Sequence, residues 1–327
     1  MSQSTQTAKQ THKQNLNARL KKLAMFCNGK FLDSFVRGFG FILAIMPHWL
    51  FLGFVKGLGK LMSSLDKKSR YDDAKKNLDF IYGDKLSEEA KKSIIKRCYQ
   101  NFAFVILESI RVTKIPYDKH KKRFEVIDER YLLECLDSKG SAVLISGHFG
   151  YWEAMATFLP PRYRKCQMAS LGRLTGIDSV DSLIISRREF QGVKFINKAG
   201  AFKHLLRLYG GGSALAGILT DQSINKNEGI EVEFMGKKAT HTPIASILSR
   251  RFEVGIVPVF IDFDEDYTKF FVRFYPPIFT PRTQDSSDDI LQATQAQAHI
   301  TAQVIDTNPS SWFWFHRRWK DFYEDLY

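Results

Sequence analysis

The chain has 327 residues, 44% of them hydrophobic and 13% aromatic, which supplies a packed core of one or two domains and argues against a disordered chain. A formal net charge of +13 calls for an anionic partner: nucleic acid, a negative membrane face, or an acidic protein or substrate. The four cysteines lie far apart with no Cys-x-x-Cys, which argues against a zinc site or a disulfide framework and fits a reducing compartment.

In chain order, residues 1–22 form a polar, basic arm. Residues 39–55, FGFILAIMPHWLFLGFV, are uncharged and bounded by Arg37 and Lys56. The run sits at the lower limit of about 17 apolar residues for crossing a bilayer, and Pro47 and His48 stand in its middle. No small-x-small cleavage site follows it. It is expected to be a membrane-embedded or interfacial anchor, with a buried core helix as the competing reading. Cations on its N-terminal side place the N-terminus in the cytoplasm. An amphipathic helix is expected over 87–112, with Ser87 as cap and Glu88 and Glu89 in the positive first turn. Ile94, Cys98, Phe102, Val105 and Ile106 recur on it at helical spacing and read as core.

From residue 141 the pattern alternates. Apolar runs at 141–147, 165–171, 193–197, 213–220, 255–262 and 270–275 read as strands, and helical stretches fall at about 178–190, 199–209 and 242–252. Gly210, Gly211 and Gly212 should stop one helix, and Thr242 and Pro243 should start another, Thr as cap and Pro in the first turn. The expected fold is an α/β domain over 116–327, with a central, mostly parallel sheet flanked by helices, preceded by a membrane-associated helical region over 23–115.

Three histidines have an acid five residues later, where chance gives about one: His120 with Glu125, His148 with Glu153, and His316 with Asp321. Only His148 closes a clear strand and opens a helix, the place where chemistry gathers in an open α/β sheet. Residues five apart on one regular helix point about 140° apart. A sharp turn, permitted by Gly147 and Gly150, would let Glu153 reach back to the imidazole and leave the other ring nitrogen as a base. A satisfied core histidine beside an aromatic cluster is the competing reading. Gly-x-Ser-x-Gly and P-loop motifs are absent, as is a metal-type cluster of His, Cys and Asp, so no metal or cofactor is expected. A histidine–carboxylate dyad without its own nucleophile suits activation of a hydroxyl that the substrate brings.

HFGYWE (148–153) resembles the His-x4-Asp/Glu block of the glycerolipid acyltransferases, in the form found in the bacterial lipid A biosynthesis acyltransferases. Further segments agree in order: MASLGRLTG with Arg173, ILTDQS with Asp221 and Gln222, FMGKKATHTPIASILSRR, GIVPVF, and the C-terminal WFWFHRRWK. Two departures stand out: Gly-Arg-Leu replaces the usual Tyr-Arg-Pro around Arg173, and the N-terminal arm is longer than usual. The resemblance implies a cytoplasm-facing inner-membrane enzyme. It would move an acyl chain from an acyl carrier protein thioester to a hydroxyl of a phosphorylated glucosamine disaccharide carrying Kdo sugars. His148 would be the general base and Glu153 its orienter. Arg173, Arg187 and Arg188 are candidate phosphate contacts. Asp221 would orient backbone or substrate, Gln222 would donate to a polar substrate, and His316, Arg317 and Arg318 would contact substrate or brace the fold. Two alternatives stand: a CoA-dependent enzyme acting on another glycolipid, such as a phosphatidylinositol mannoside, and a non-enzymatic basic protein of the membrane surface. Nucleic acid is not an expected partner, since the C-terminal run is the one stretch that mixes cations with aromatics.

Overall fold

The structure, a computed structural model, describes residues 29–66, 69–172, 176, 178–197 and 200–327. The basic arm at 1–22 and Arg173 lie outside the described residues.

Four helices come first among the described residues: α1 (Gly29–Ile45), α2 (His48–Leu65), α3 (Arg70–Tyr82) and α4 (Glu88–Arg111). Proline has no N–H for a helix interior but fits a helix start. Pro47 therefore divides the apolar 39–55 run into two helices, and among the described residues no helix is long and apolar enough to cross a membrane. Each half buries one stripe: Val36, Gly40 and Leu43 on α1, Phe51, Val55 and Gly59 on α2. Both glycines allow close approach to α4. A Cβ on Gly59 would stand 2.9 Å from Cα of Gln100, and one on Gly40 would stand 3.0 Å from the Ile110 carbonyl oxygen. Ser87 caps α4 as expected, accepting the Ala90 N–H at 3.2 Å. Of the expected core stripe of α4, Cys98 and Val105 are buried in the core and Ile94 and Phe102 pack against it, while Phe102, Val105 and Ile106 also line a cavity.

The strands are β1 (Phe124–Ile127), β2 (Ala142–Ser146), β3 (Gln167–Gly172), β4 (Lys194–Asn197), β5 (Ala214–Leu219), β6 (Ile230–Phe234), β7 (Lys237–His241), β8 (Gly255–Phe263) and β9 (Phe270–Phe274). Seven of them form one sheet in the order β1-β9-β8-β2-β5-β3-β4. It is parallel from β8 through β4; β9 runs antiparallel to β8 and parallel to β1. β6 and β7 form a separate hairpin, whose turn places Met235 (φ 53°) and Gly236 (φ 73°) in the left-handed region that suits a right-twisted ribbon. The later helices are α5 (Arg130–Lys139), α6 (Asp178–Arg188), α7 (Ala201–Gly210), α8 (Ile244–Phe252) and α9 (Ser286–Thr307). The triple glycine ends α7, as expected. Thr242 does not cap α8: Pro243 holds the cap position without a side-chain bond, and Thr242 faces the cavity instead.

β2 is buried along its whole length, as its continuous apolar run requires for a central parallel strand. One core, on the side of α1–α4, joins those helices to the sheet and to Trp312, Trp314 and Trp319; a second packs α7 and α8 against β2 and β5. The strand order sets β2 beside β5, with Ser146 opposite Leu219, so both chains leave the sheet at the same end.

Candidate active site

Past Ser146, the turn of β2 is held from two directions. The Gly150 N–H donates to the Ser311 carbonyl at 2.9 Å, and the Phe313 N–H donates to the His148 carbonyl at 2.9 Å. Tyr151 donates to the Ile261 carbonyl of β8 at 2.7 Å. Gly150 has φ 54°, and a Cβ there would stand 2.1 Å from the Ile261 oxygen, so backbone conformation and space both demand glycine. A Cβ on Gly147 would press on Asp221, its nearest neighbour at 3.2 Å.

Asp221, just past the end of β5, is fully buried. Its Oδ1 lies 2.8 Å from His148 Nδ1. Its Oδ2 accepts the His148 backbone N–H at 2.7 Å and the Trp312 indole N–H at 2.8 Å. Burial alone would raise the carboxyl pKa; the His148 ring, His316 and the Trp312 donor outweigh it and hold the group below the usual carboxylate range. An ionised Asp221 fixes the neutral His148 as the Nδ1–H tautomer, with the Nε2 lone pair turned outward. The His148 side chain is 18% exposed and lines a cavity of about 680 Å³.

The expected His148–Glu153 contact is replaced by this one. Glu153 lies in a 3₁₀ turn, Trp152–Ala156, that the Gly150 and Tyr151 bonds steer along β8. Its Oε1 accepts from Arg188 at 2.8 Å and from the Trp152 indole at 3.2 Å. Asp221 already occupies Nδ1. Asp221, expected to orient backbone or substrate, is fully buried and holds the His148 backbone N–H as well as its ring.

The other candidates divide. Gln222 and Arg188 line the cavity, as does Arg187, whose guanidinium donates to the Ser109 carbonyl. The His316 ring lies 4.9 Å from that of His148, between centroids. Burial, then the nearby His148, lowers its pKa to about 3, so it stays neutral. Arg317 points away. It pairs with Asp73 of α3 at 2.9 Å, half exposed, and does not line the cavity, because Trp314 and Trp319 on either side of it are drawn into the core.

Two residues, Trp312 and His241, escaped the sequence reading, which named Arg318 beside His316 and Arg317. Trp312 completes the acceptor role of Asp221. Arg318, fully buried, donates to the Thr240 carbonyl and to the Gln222 carbonyl at 3.3 Å, and its Nη2 donates to His241 Nδ1 at 3.2 Å. Burial lowers the Arg318 guanidinium pKa to about 10, which leaves it a cation at neutral pH. The signal for Trp312 was the WFWFHRRWK run, legible as a block but not residue by residue. His148, Asp221 and His316 are the one group among the described residues with spacing compatible with a metal, their ligand atoms lying within 4.8 Å of one another. The Asp221 oxygens, however, already take three N–H groups, an arrangement suited to orienting a base.

A narrow apolar slot of about 50 Å³ adjoins the cavity, lined by Leu144, Met155, Met168, Val193 and Gly217. Trp152, Glu153 and Arg188 line both spaces and form the neck between them.

Comparison with known proteins gives two findings. The family model for bacterial lipid A biosynthesis acyltransferases matches residues 21–321. A phosphatidylinositol mannoside acyltransferase of Mycolicibacterium smegmatis (strain ATCC 700084 / mc(2)155) is 24% identical over 251 residues, which is 75% of this chain and 78% of that protein.

Proposed function

From the premise that the chain belongs to the bacterial lipid A biosynthesis acyltransferase family, and is therefore an acyltransferase, we propose that it moves a fatty acyl chain from an acyl carrier protein thioester to a hydroxyl of a phosphorylated glucosamine-disaccharide lipid A precursor. The observation that carries this reading is the His148 ring, which a buried carboxylate grips on one nitrogen while the other faces a cavity that leads into an apolar slot. A base without a protein nucleophile favours direct transfer. The acceptor hydroxyl gives its proton to His148 Nε2 as its oxygen attacks the thioester carbonyl carbon. The imidazolium, stabilised by Asp221, then returns the proton to the departing thiolate. The first carbons of the acyl chain enter the apolar slot past the Trp152 neck. Arg187 and Arg188 present guanidinium groups to the acceptor phosphates at the cavity wall.

The enzyme works at the cytoplasmic face of the inner membrane in this reading, seated by α1 and α2. Phe35, Phe41, Ile42 and Ile45 on α1, with Trp49, Phe54 and Leu61 on α2, are exposed large apolar side chains beside exposed Lys56 and Lys60. An exposed apolar patch with cations suits an anionic interface. Both helices pack on α4, which walls the cavity, so a lipid acceptor would reach His148 from the bilayer.

The test offers the purified enzyme an acyl carrier protein thioester with the glucosamine-disaccharide bisphosphate acceptor. A parallel reaction offers acyl-CoA with phosphatidylinositol mannoside. Mass spectrometry should find one added acyl chain on the disaccharide. Acylation confined to the mannoside would overturn the acceptor assignment in favour of the activity named for the mycobacterial relative.

A further inference from the structure

Among the described residues, Gln222 stands where an amide meets the free side of the base. Its Nε2 lies 3.3 Å from His148 Nε2 and 3.5 Å from His316 Nε2. Chemistry decides which end of the amide faces the rings. Asp221 takes the Nδ1–H of His148, so Nε2 carries a lone pair, and an amide oxygen there would meet it with another lone pair. The nitrogen end must face inward, with an N–H turned toward the His148 acceptor. The backbone beneath is anchored: Arg318 holds the Gln222 carbonyl at 3.3 Å, and Asp221 immediately before it is locked to His148 and Trp312. The side chain itself is exposed to the cavity.

Both contacts are long for hydrogen bonds and are made to the spot that an acceptor hydroxyl must occupy to lose its proton. An incoming hydroxyl therefore displaces the amide and leaves an N–H donor beside the reacting carbonyl. Of the nearby polar side chains, Ser223 is engaged with Asp321, and Arg187 and Arg188 serve the acceptor phosphates in the reading above. We propose that Gln222 is a catalytic residue, whose side-chain amide caps His148 in the resting enzyme and, once displaced, donates to the oxyanion of the tetrahedral intermediate; this rests on the acyl-transfer reading above.

The step balances. The acceptor O–H bond breaks and its proton goes to His148 Nε2 while a new C–O bond forms at the thioester carbon. The carbonyl π pair moves onto oxygen, where the Gln222 N–H receives it. Collapse of that oxyanion breaks the C–S bond, and the thiolate leaves with the proton from His148. A donor serves this purpose when it sits about 2.7–3.1 Å from the oxyanion, and losing one typically lowers kcat by about 10²–10³-fold.

The experiment compares wild type, Gln222→Ala, Gln222→Glu and His148→Ala, with an acyl carrier protein thioester as donor and the disaccharide bisphosphate as acceptor. Melting temperature is recorded for each. Gln222→Ala should lose about 10²–10³-fold in kcat with little change in acceptor KM and an unchanged melting temperature. Gln222→Glu keeps the side-chain shape but sets a carboxylate against the oxyanion, and should lose at least as much. Loss in His148→Ala together with near-wild-type kcat in Gln222→Ala would overturn the oxyanion role alone. Full turnover in His148→Ala would overturn the base assignment and this proposal with it.

Discussion

Two apolar, aromatic stretches of the chain, residues 39–55 and 312–319, both mix tryptophan with histidine, and the fold treats them in opposite ways. In the C-terminal stretch Trp312, Trp314 and Trp319 are buried, and each indole N–H has an acceptor: Asp221 at 2.8 Å, the Pro309 carbonyl at 2.7 Å and the Phe234 carbonyl at 3.4 Å. In the N-terminal stretch Trp49 is 73% exposed and Ile45 67% exposed, and only the inner stripe of each helix enters the core. The presence of tryptophan and histidine does not separate the two; placement of polar partners does. A buried indole needs an acceptor, and the C-terminal segment meets strand ends that supply them. In the helical pair the His48 ring meets the Asp266 carbonyl at 2.7 Å, but the Trp49 indole stays exposed, as do the outer apolar side chains. One stretch thus buttresses the site, and the other is free to serve as a surface.

That contrast breaks most readily at Trp312. Trp312→Ala should cost about 3–5 kcal/mol of stability, since it leaves a cavity and removes a donor from a buried carboxylate. Chemical denaturation measures it, and a loss under 1 kcal/mol would show that the C-terminal tryptophans are no more structural than the N-terminal one.

Acid should sharpen the contrast next. His241, behind the site, is fully buried, and burial followed by the Arg318 charge lowers its pKa to about 3. His120, against Phe124, is almost as buried, and burial lowers its pKa to about 4. A lowered folded pKa gives stability that is present above the unfolded value of about 6.5 and is lost as pH falls from there toward 4 and 3. Together with His316, whose pKa is lowered to about 3, three such groups contribute a slope of about 4 kcal/mol per pH unit in that window at its steepest. Thermal unfolding followed from pH 7.5 to 5 should show stability falling below about pH 6.5, and His241→Asn should flatten the slope. A flat profile would contradict neutral burial of these rings.

The smallest effect belongs to the hairpin. Trp49→Ala should leave stability within about 0.5 kcal/mol, as for an exposed side chain. It should weaken partition onto anionic phospholipid vesicles by about 1.5–3 kcal/mol, the value of burying one large apolar side chain. Vesicle sedimentation at fixed lipid gives the number, and unchanged partition would remove α1 and α2 from the membrane face.

Much of the fold could be read locally. The runs at 141–147, 213–220 and 255–262 became β2, β5 and β8 because a strand buried on both faces is apolar throughout. His148 at the mouth of β2 was legible for the same reason. Its partner was not. Asp221 is 73 residues away, and only the pairing of β2 with β5 brings it to the ring. No local pattern encodes that strand order, so the nearest acid in sequence, Glu153, took the role on paper. The same limit explains Arg317: the HRR run marks a block, but which of three adjacent side chains turns inward depends on the tryptophans around them.

The central claim is that Asp221, rather than Glu153, orients the base. Asp221→Asn and Glu153→Gln preserve shape and remove one charge each, so kcat/KM for both in one acyl-transfer assay decides between them. Losing the carboxylate that fixes the tautomer of a catalytic histidine costs about 10⁴-fold in the serine protease triad. We expect a loss of at least about 10³-fold in Asp221→Asn, against no more than about tenfold in Glu153→Gln, where His148 keeps its partner. A larger loss in Glu153→Gln than in Asp221→Asn would contradict the account.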